Sequence, residues 1–327
     1  MKAKTHIVGV GSALVDILIL ENDEFIKTAG GQKGGMTLVE KQQIDRALAQ
    51  TSQKSILVPG GSACNTIIGV GCLGGGARFI GKRGTDDLGK LFEDGLVKHH
   101  VQPHLFTSST SPTGCVLSIV TPDAQRTMLT YLGASSETLA SEISSAPFDD
   151  AAIVHLEGYL LFNRDLMYAS LKAAKKAGAQ ISLDLASFTV VESSKDILDD
   201  LIHDYVDILI ANEDEARAYT GISDETKSLE VLSKKAKIAV LKVGKRGSMI
   251  SAGGTVTIVS RIGDGTAIDT TGAGDLWAAG FLYGLVNNYS TEMCGKLASA
   301  CGYEVCQVMG AAIPPDGWQR IRDIMKA

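Results

Sequence analysis

The chain has 327 residues, of which 45% are hydrophobic, 21% charged and 6% aromatic, a composition that excludes disordered, collagenous and coiled-coil proteins. Lys plus Arg is 31 against 37 for Asp plus Glu, a net charge of -6. No basic run is long enough to track a phosphate backbone, which argues against a nucleic-acid partner. Cys64, Cys72, Cys115, Cys294, Cys301 and Cys306 stand in apolar or glycine-rich contexts without a CxxC pair, so free thiols in a reducing cytoplasm are expected.

Residues 5–11 (THIVGVG) form an apolar run ending in glycine, as a central parallel strand does. Residues 15–20 continue it with Asp16 embedded in LVDILIL. Asp16 and Glu21 spoil this region as a signal peptide, and the buried carboxylate needs a structural hydrogen-bond donor or a ligand hydroxyl. A glycine-rich connector follows at 30–35. Residues 55–77 carry no charge and are long enough for a membrane span. Pro59 and the glycines at 60, 61, 69, 71, 74, 75 and 76 instead indicate a buried turn and a close-packed helix.

Short Ile, Val and Leu runs at 77–81, 153–156, 181–185, 206–210 and 238–243 predict further strands, most of them separated by helical patterns, the alternation of a parallel α/β sheet. A helix over 86–100 carries Leu88, Leu91, Phe92 and Leu96 on one stripe, and one over 165–177 stops at Gly178. The pair 114–120 and 127–132 around Pro122-Asp123 breaks the alternation. These features predict one three-layer αβα domain over 1–327 with a small β-sheet lid made by insertions at about 12–40 and 105–133. One lid face is expected to cover a ligand and the other to meet solvent or a partner chain, giving a monomer or a lid-mediated homodimer.

Three local patterns carry candidate chemistry. In residues 269–275 (DTTGAGD), Gly272 and Gly274 let backbone N–H groups face outward at the start of an apolar helix, which suits a phosphate or oxyanion. Asp275 beside them is either a cap or a base that takes a proton from an attacking hydroxyl. In residues 59–65 (PGGSACN), Asn65 on the first helical turn is either a cap or a ligand for sugar hydroxyls. Asn212 and Glu215 in NEDE are either an acidic first turn or a water-mediated Mg²⁺ site. There is no GxxxxGK[ST], and Leu14 occupies the third glycine position of a dinucleotide fingerprint. Pro103 breaks the helix that His99, His100 and His104 would need as metal ligands.

Taken in order and spacing, PGGSACN, NEDE, KVGKRG at 242–247 and DTTGAGD resemble the ribokinase (PfkB-type) carbohydrate kinase family over nearly the whole chain. GVGSALVD at 9–16, GMTLVE at 35–40 and the stretch 112–135 look most like its adenosine kinase branch, with Ser12 where adenosine kinases often carry Asn. The resemblance implies a cytoplasmic, ATP-dependent kinase phosphorylating a hydroxymethyl group of a ribonucleoside or sugar. The alternatives are a fructokinase- or ribokinase-type sugar kinase and a non-catalytic nucleotide or sugar sensor. It assigns the base to Asp275, the anion hole to the Gly272, Ala273 and Gly274 amides, and a lid cation to Arg126. Substrate binding falls to Ser12, Asp16, Gly60, Gly61 and Asn65. Binding of ATP and Mg²⁺ falls to Asn212, Glu215, Lys242, Gly244, Gly247 and Thr271, with Glu215 toward the metal. A monovalent cation such as K⁺ is also compatible with the family.

Overall fold

Among the described residues, 4–123 and 125–326 of a computed structural model, the strands in chain order are β1 His6–Val10, β2 Leu14–Leu20, β3 Met36–Leu38, β4 Ile56–Gly60, β5 Gly76–Arg83, β6 Val101–Thr107, β7 Gly114–Val120, β8 Arg126–Tyr131, β9 Ala151–Glu157, β10 Gln180–Asp184, β11 Ile208–Asn212, β12 Ile238–Lys242, β13 Ser248–Ala252 and β14 Thr255–Val259. Ala124 of the predicted hairpin, and residues 1–3 and 327 of the predicted domain, lie outside the described residues.

Nine strands form one sheet in the order β14-β13-β12-β11-β10-β9-β1-β5-β6. From β12 to β6 they run parallel, and β13 and β14 add an antiparallel edge. The parallel strands are buried on both faces, which explains their continuous apolar runs. On one face the helices Ser62–Cys72, Asp87–Lys98, Ala273–Val286, Thr291–Val305 and Pro315–Ile324 supply core side chains such as Ile67, Phe92, Phe281 and Leu297. On the other, Arg164–Ala177, Lys195–Tyr205, Glu213–Thr220 and Glu225–Ser233 supply Met167, Leu171, Ile202 and Leu229. The Arg164–Ala177 helix ends at Gly178 with φ 68°, the left-handed cap its sequence predicts.

A second sheet of five strands has the order β3-β8-β7-β2-β4. This is the expected small β layer, with two corrections. Residues 105–107, assigned to the lid insertion, belong to β6 in the large sheet, paired with β5. The outer face is also not bare, because Ile17, Ile19, Leu117, Ile119 and Leu129 pack with Ile26, Ile44 and Ala47 from two helices, Asp23–Thr28 and Lys41–Gln50. The Lys41–Gln50 helix turns a narrow apolar stripe, Ile44 and Ala47, inward from a segment that is polar overall. Among the described residues no helix is long and apolar enough to cross a membrane. The uncharged 55–77 stretch resolves into β4, the Ser62–Cys72 helix and the start of β5.

Candidate active site

Four adjacent parallel strands end in polar residues. Glu157 closes β9, Asp184 closes β10, Asn212 closes β11 and Lys242 closes β12. In register, Glu157 lies opposite Asp184 and Asn212 opposite Lys242, so the fold gathers them at the carboxyl edge where open α/β sheets bind ligands. The small sheet lies over this edge, and a cavity of about 920 Å³ opens between them. Its lining includes Ser12, Asp16, Gly61, Asn65, Arg126, Asn212, Glu215, Lys242 and residues 270–275. Gly60, Gly244 and Gly247 are outside the lining.

The glycine turn is built from beneath. Asp269, fully buried, accepts from the Thr271 N–H at 2.9 Å and from the Gly310 N–H at 2.9 Å. It also takes the Thr271 hydroxyl at 2.7 Å, so this hydroxyl, expected to face the cofactor, is used internally. Gly272 then caps the Ala273–Val286 helix at φ 72°, and a Cβ there would lie 2.7 Å from the Ala311 Cβ, so only glycine suits both the backbone and the contact. Of the three expected anion-hole amides, that of Ala273 donates to the Thr270 carbonyl at 3.2 Å. The Gly272 and Gly274 N–H groups have no protein acceptor among the described residues. A Cβ built on Gly274 would stand 3.2 Å from the Lys242 Nζ, which places an ammonium directly against the turn. Free N–H groups, a helix N-terminus and a cation together suit an anion.

Asp275 stands one residue further on, and the Ser62–Cys72 helix grips it. Ser62 Oγ donates to its Oδ1 at 2.8 Å, Asn65 Nδ2 donates to its Oδ2 at 2.9 Å, and Thr66 Oγ1 donates to its backbone carbonyl at 3.0 Å. Asn65, expected to meet substrate hydroxyls, therefore spends an amide donor on the carboxylate. Burial raises the Asp275 pKa and the Asn65 and Ser62 hydrogen bonds oppose the rise.

Lys242 donates to Asp184 at 2.8 Å. Burial pulls its pKa down, but the Asp184, Glu215 and Asp275 carboxylates outweigh that and leave it raised. Glu215 is 2% exposed, and burial pushes its pKa up to about 7 against the pull of Lys242. Asn212 and Glu215 form a reciprocal capping box, with Glu215 N–H donating to Asn212 Oδ1 at 2.9 Å and Asn212 N–H to Glu215 Oε2 at 2.7 Å. This realises the structural alternative in the sequence while both residues still line the cavity. Among the described residues no cluster of three or more His, Cys, Asp or Glu side chains could grip a metal ion directly. The pair fits a Mg²⁺ met through water, which commonly takes only one or two protein carboxylates.

Asp16 enters from the central region of the small sheet. Burial lifts its pKa to about 7, with Arg126 of β8 pulling it back down. Gly60 keeps room for it, since a Cβ there would lie 2.5 Å from the Asp16 carboxyl carbon. Gly61, at φ 98°, would bring a Cβ within 2.4 Å of the Ser12 carbonyl. Gly244 and Gly247 instead shape the β12–β13 connection, where Gly247 N–H donates to the Gly244 carbonyl at 3.1 Å. Sequence reading missed Asp184 and Glu157. Glu157, 1% exposed, accepts from the Ser12 and Ala63 N–H groups, both at 2.9 Å. The available signal was a carboxylate closing an apolar parallel strand, twice.

Asp16 yields a prediction with two opposite signs. Its proton is held more tightly in the folded state (about 7) than unfolded (3.8), so ligand-free stability falls as pH rises through that interval. Asp16→Asn removes this burden, worth about 2–4 kcal/mol at pH 8. In thermal melts the variant should exceed the unmodified protein by a margin that widens from pH 5 to pH 8, while calorimetry shows much weaker acceptor binding. A constant margin would mean that the Asp16 carboxyl does not titrate in this range.

The profile of the pfkB family carbohydrate kinases matches residues 35–317. A ribokinase of Arabidopsis thaliana is 31% identical over 247 residues, covering 71% of this chain and 63% of that protein. The crystal structure of a probable sugar kinase from Rhizobium etli superposes with a TM-score of 0.92 at 29% identity, covering 99% of this chain and all of the other. An adenosine kinase from Sinorhizobium meliloti superposes with a TM-score of 0.90 at 29% identity, covering 98% and 99% of the two chains.

Proposed function

Since the chain belongs to the pfkB family of carbohydrate kinases, we propose that it transfers the γ-phosphoryl group of ATP to the hydroxymethyl group of a ribonucleoside, adenosine foremost. The observation that carries the chemistry is the carboxylate of Asp275 beside two free turn amides and the Lys242 ammonium. A negative side chain so close to an anion site has little use as an anion ligand but every use as a proton acceptor for the attacking hydroxyl.

In this reading Asp275 takes the proton from the acceptor hydroxyl. The Gly272 and Gly274 amides and Lys242 stabilise charge on the transferring phosphoryl group. Arg126, lining the cavity from the small sheet, adds a cation from the opposite side. Mg²⁺, when bound, neutralises phosphate charge, and Asn212 with Glu215 would hold it through water. Asp16 fixes the sugar hydroxyls, and the small sheet keeps water from competing with the acceptor.

The choice of a nucleoside rests on the opposite wall. Leu14, Met36, Leu38, Val116 and Met128 line the cavity from the small sheet, and this apolar surface suits a flat base better than a free sugar that presents hydroxyls all round. The similarity to the Sinorhizobium meliloti adenosine kinase supports the same choice. ATP consumption over a panel of adenosine, other nucleosides, ribose and fructose tests it. Adenosine should exceed ribose and fructose at least about 100-fold in kcat/KM, the discrimination that an unfilled binding wall gives. A preference for fructose or ribose would make the chain a sugar kinase. Binding without turnover on every acceptor would make it a sensor.

A further inference from the structure

From the grip on Asp275 we infer that Ser62 is a positioning residue, holding the carboxylate in the orientation and protonation state that phosphoryl transfer requires. The inference rests on the reading of Asp275 as the base.

A serine at the start of a helix ordinarily turns its hydroxyl back onto the helix's own unpaired N–H groups. Here the Ala63 N–H, one of those groups, goes to Glu157 instead. The N-cap, Gly61, has no side chain to contribute. The Ser62 hydroxyl instead reaches Asp275, 213 residues away in sequence. Residues 62, 65 and 66 share one helix face at the i, i+3, i+4 spacing, and all three bond to the same residue. Thr66 takes its backbone, while Asn65 and Ser62 take one carboxylate oxygen each. The two helices are held close by Gly69, where a Cβ would lie 2.6 Å from the Ala279 Cβ. This grip therefore leaves the carboxylate little freedom to rotate.

The arrangement has a directional consequence. A donor on a carboxylate favours its charged form, so Ser62, with Lys242 of β12, keeps Asp275 ready to accept a proton despite burial and the facing carboxylates of Asp184 on β10, Glu157 on β9 and Asp16 on β2. Removing the hydroxyl frees one oxygen and raises the pKa, so that protonation disables the base at a higher pH. Asn65 is a poorer probe of this effect because it stands among the proposed substrate contacts.

The test is single-turnover phosphoryl transfer with saturating ATP and acceptor, measured against pH for the full-length chain and for Ser62→Ala, Ser62→Thr and Asp275→Asn. Ser62→Ala should lower the transfer rate about tenfold and move the acidic limb upward by about one pH unit, with acceptor KM changed less than about twofold. Ser62→Thr, which keeps a hydroxyl, should restore the limb. An unmoved limb in Ser62→Ala, or a raised acceptor KM at full transfer rate, overturns the assignment, the second outcome making Ser62 a substrate contact. A misfolded Ser62→Ala leaves the decision to Ser62→Thr, whose limb and rate must then match the unmodified enzyme; a displaced limb with native melting would overturn the assignment. Asp275→Asn separates the two levels. Full activity in that variant removes the base itself, whereas an inactive Asp275→Asn beside an unaffected Ser62→Ala removes only the role of Ser62.

Discussion

Asp275→Asn is expected to lower kcat by about two to four orders of magnitude, the scale of a lost general base, with ATP affinity changed only a few-fold. The substitution isolates basicity from shape. An asparagine is the same size, its Oδ1 can accept from Asn65 Nδ2, and its amide can donate to the Ser62 Oγ that previously donated to the carboxylate. The two helices stay joined and the turn amides stay in place, so what disappears is the capacity to take up a proton. Rapid-quench transfer assays with calorimetric ATP binding give both numbers. Turnover within about tenfold of the unmodified enzyme would remove Asp275 from the role of base.

Lys242→Met is expected to damage both folding and nucleotide binding. The ammonium lies against Asp184, 5% exposed, and exerts the chief counter-pull on the raised pKa of Glu215. Removing one partner of a buried ion pair leaves an uncompensated charge, at a cost of about 3–5 kcal/mol. The pH dependence identifies the cause. Glu215 holds its proton up to about pH 7 when folded, against 4.5 for the ordinary group, and further still without the cation. The folded variant therefore binds more protons than its unfolded chain above pH 4.5, and its stability falls as pH rises through that window. Denaturant titrations should show the deficit shrinking from pH 8 to pH 5. An equal deficit at both values would mean that lost packing, rather than stranded carboxylates, is responsible. ATP affinity should also fall, since the ammonium lies directly against Gly274 of the glycine turn.

The two glycine turns were legible in sequence because each is local. Their φ values, their glycines and the helices they open all lie within one stretch of chain. The parallel strands other than β6 were legible for the same reason, although 206–210 is displaced in the structure to Ile208–Asn212, because Val206 still caps the preceding helix. Donor–acceptor choice across the fold was not legible. Nothing near Asn65 indicates that its amide belongs to a carboxylate 210 residues later, and nothing near Thr271 shows that Asp269 will claim its hydroxyl. Asp184 and Glu157 were hidden by their own strands, one absorbed into an apolar run and the other just beyond the end of one. The strand β4 was masked by Pro59, tolerable there because β4 is an edge strand. The capping box of Asn212 and Glu215 had a readable Asn-x-x-Glu spacing, but its coexistence with a cavity position is a property of the assembled strand ends alone.

The joint between β4 and the Ser62–Cys72 helix limits how this protein can be recombined with its relatives. A single residue, Gly61, separates the last residue of the small sheet's edge strand from the helix that holds Asp275. Steric contact with Asp16 and the Ser12 carbonyl closes both joint glycines to any side chain. Segments such as Met36–Leu38 and Arg126–Tyr131 carry their side chains into the cavity from strands with no such attachment. Exchanging them rewrites that wall of the cavity and leaves the support of Asp275 untouched. A crossover placed between residues 72 and 269 would instead pair one parent's gripping helix with the other's Asp275 carboxylate. In a chimera, residues 56–72 and 269–286 are best inherited together, as one mechanical unit spread over two distant parts of the chain.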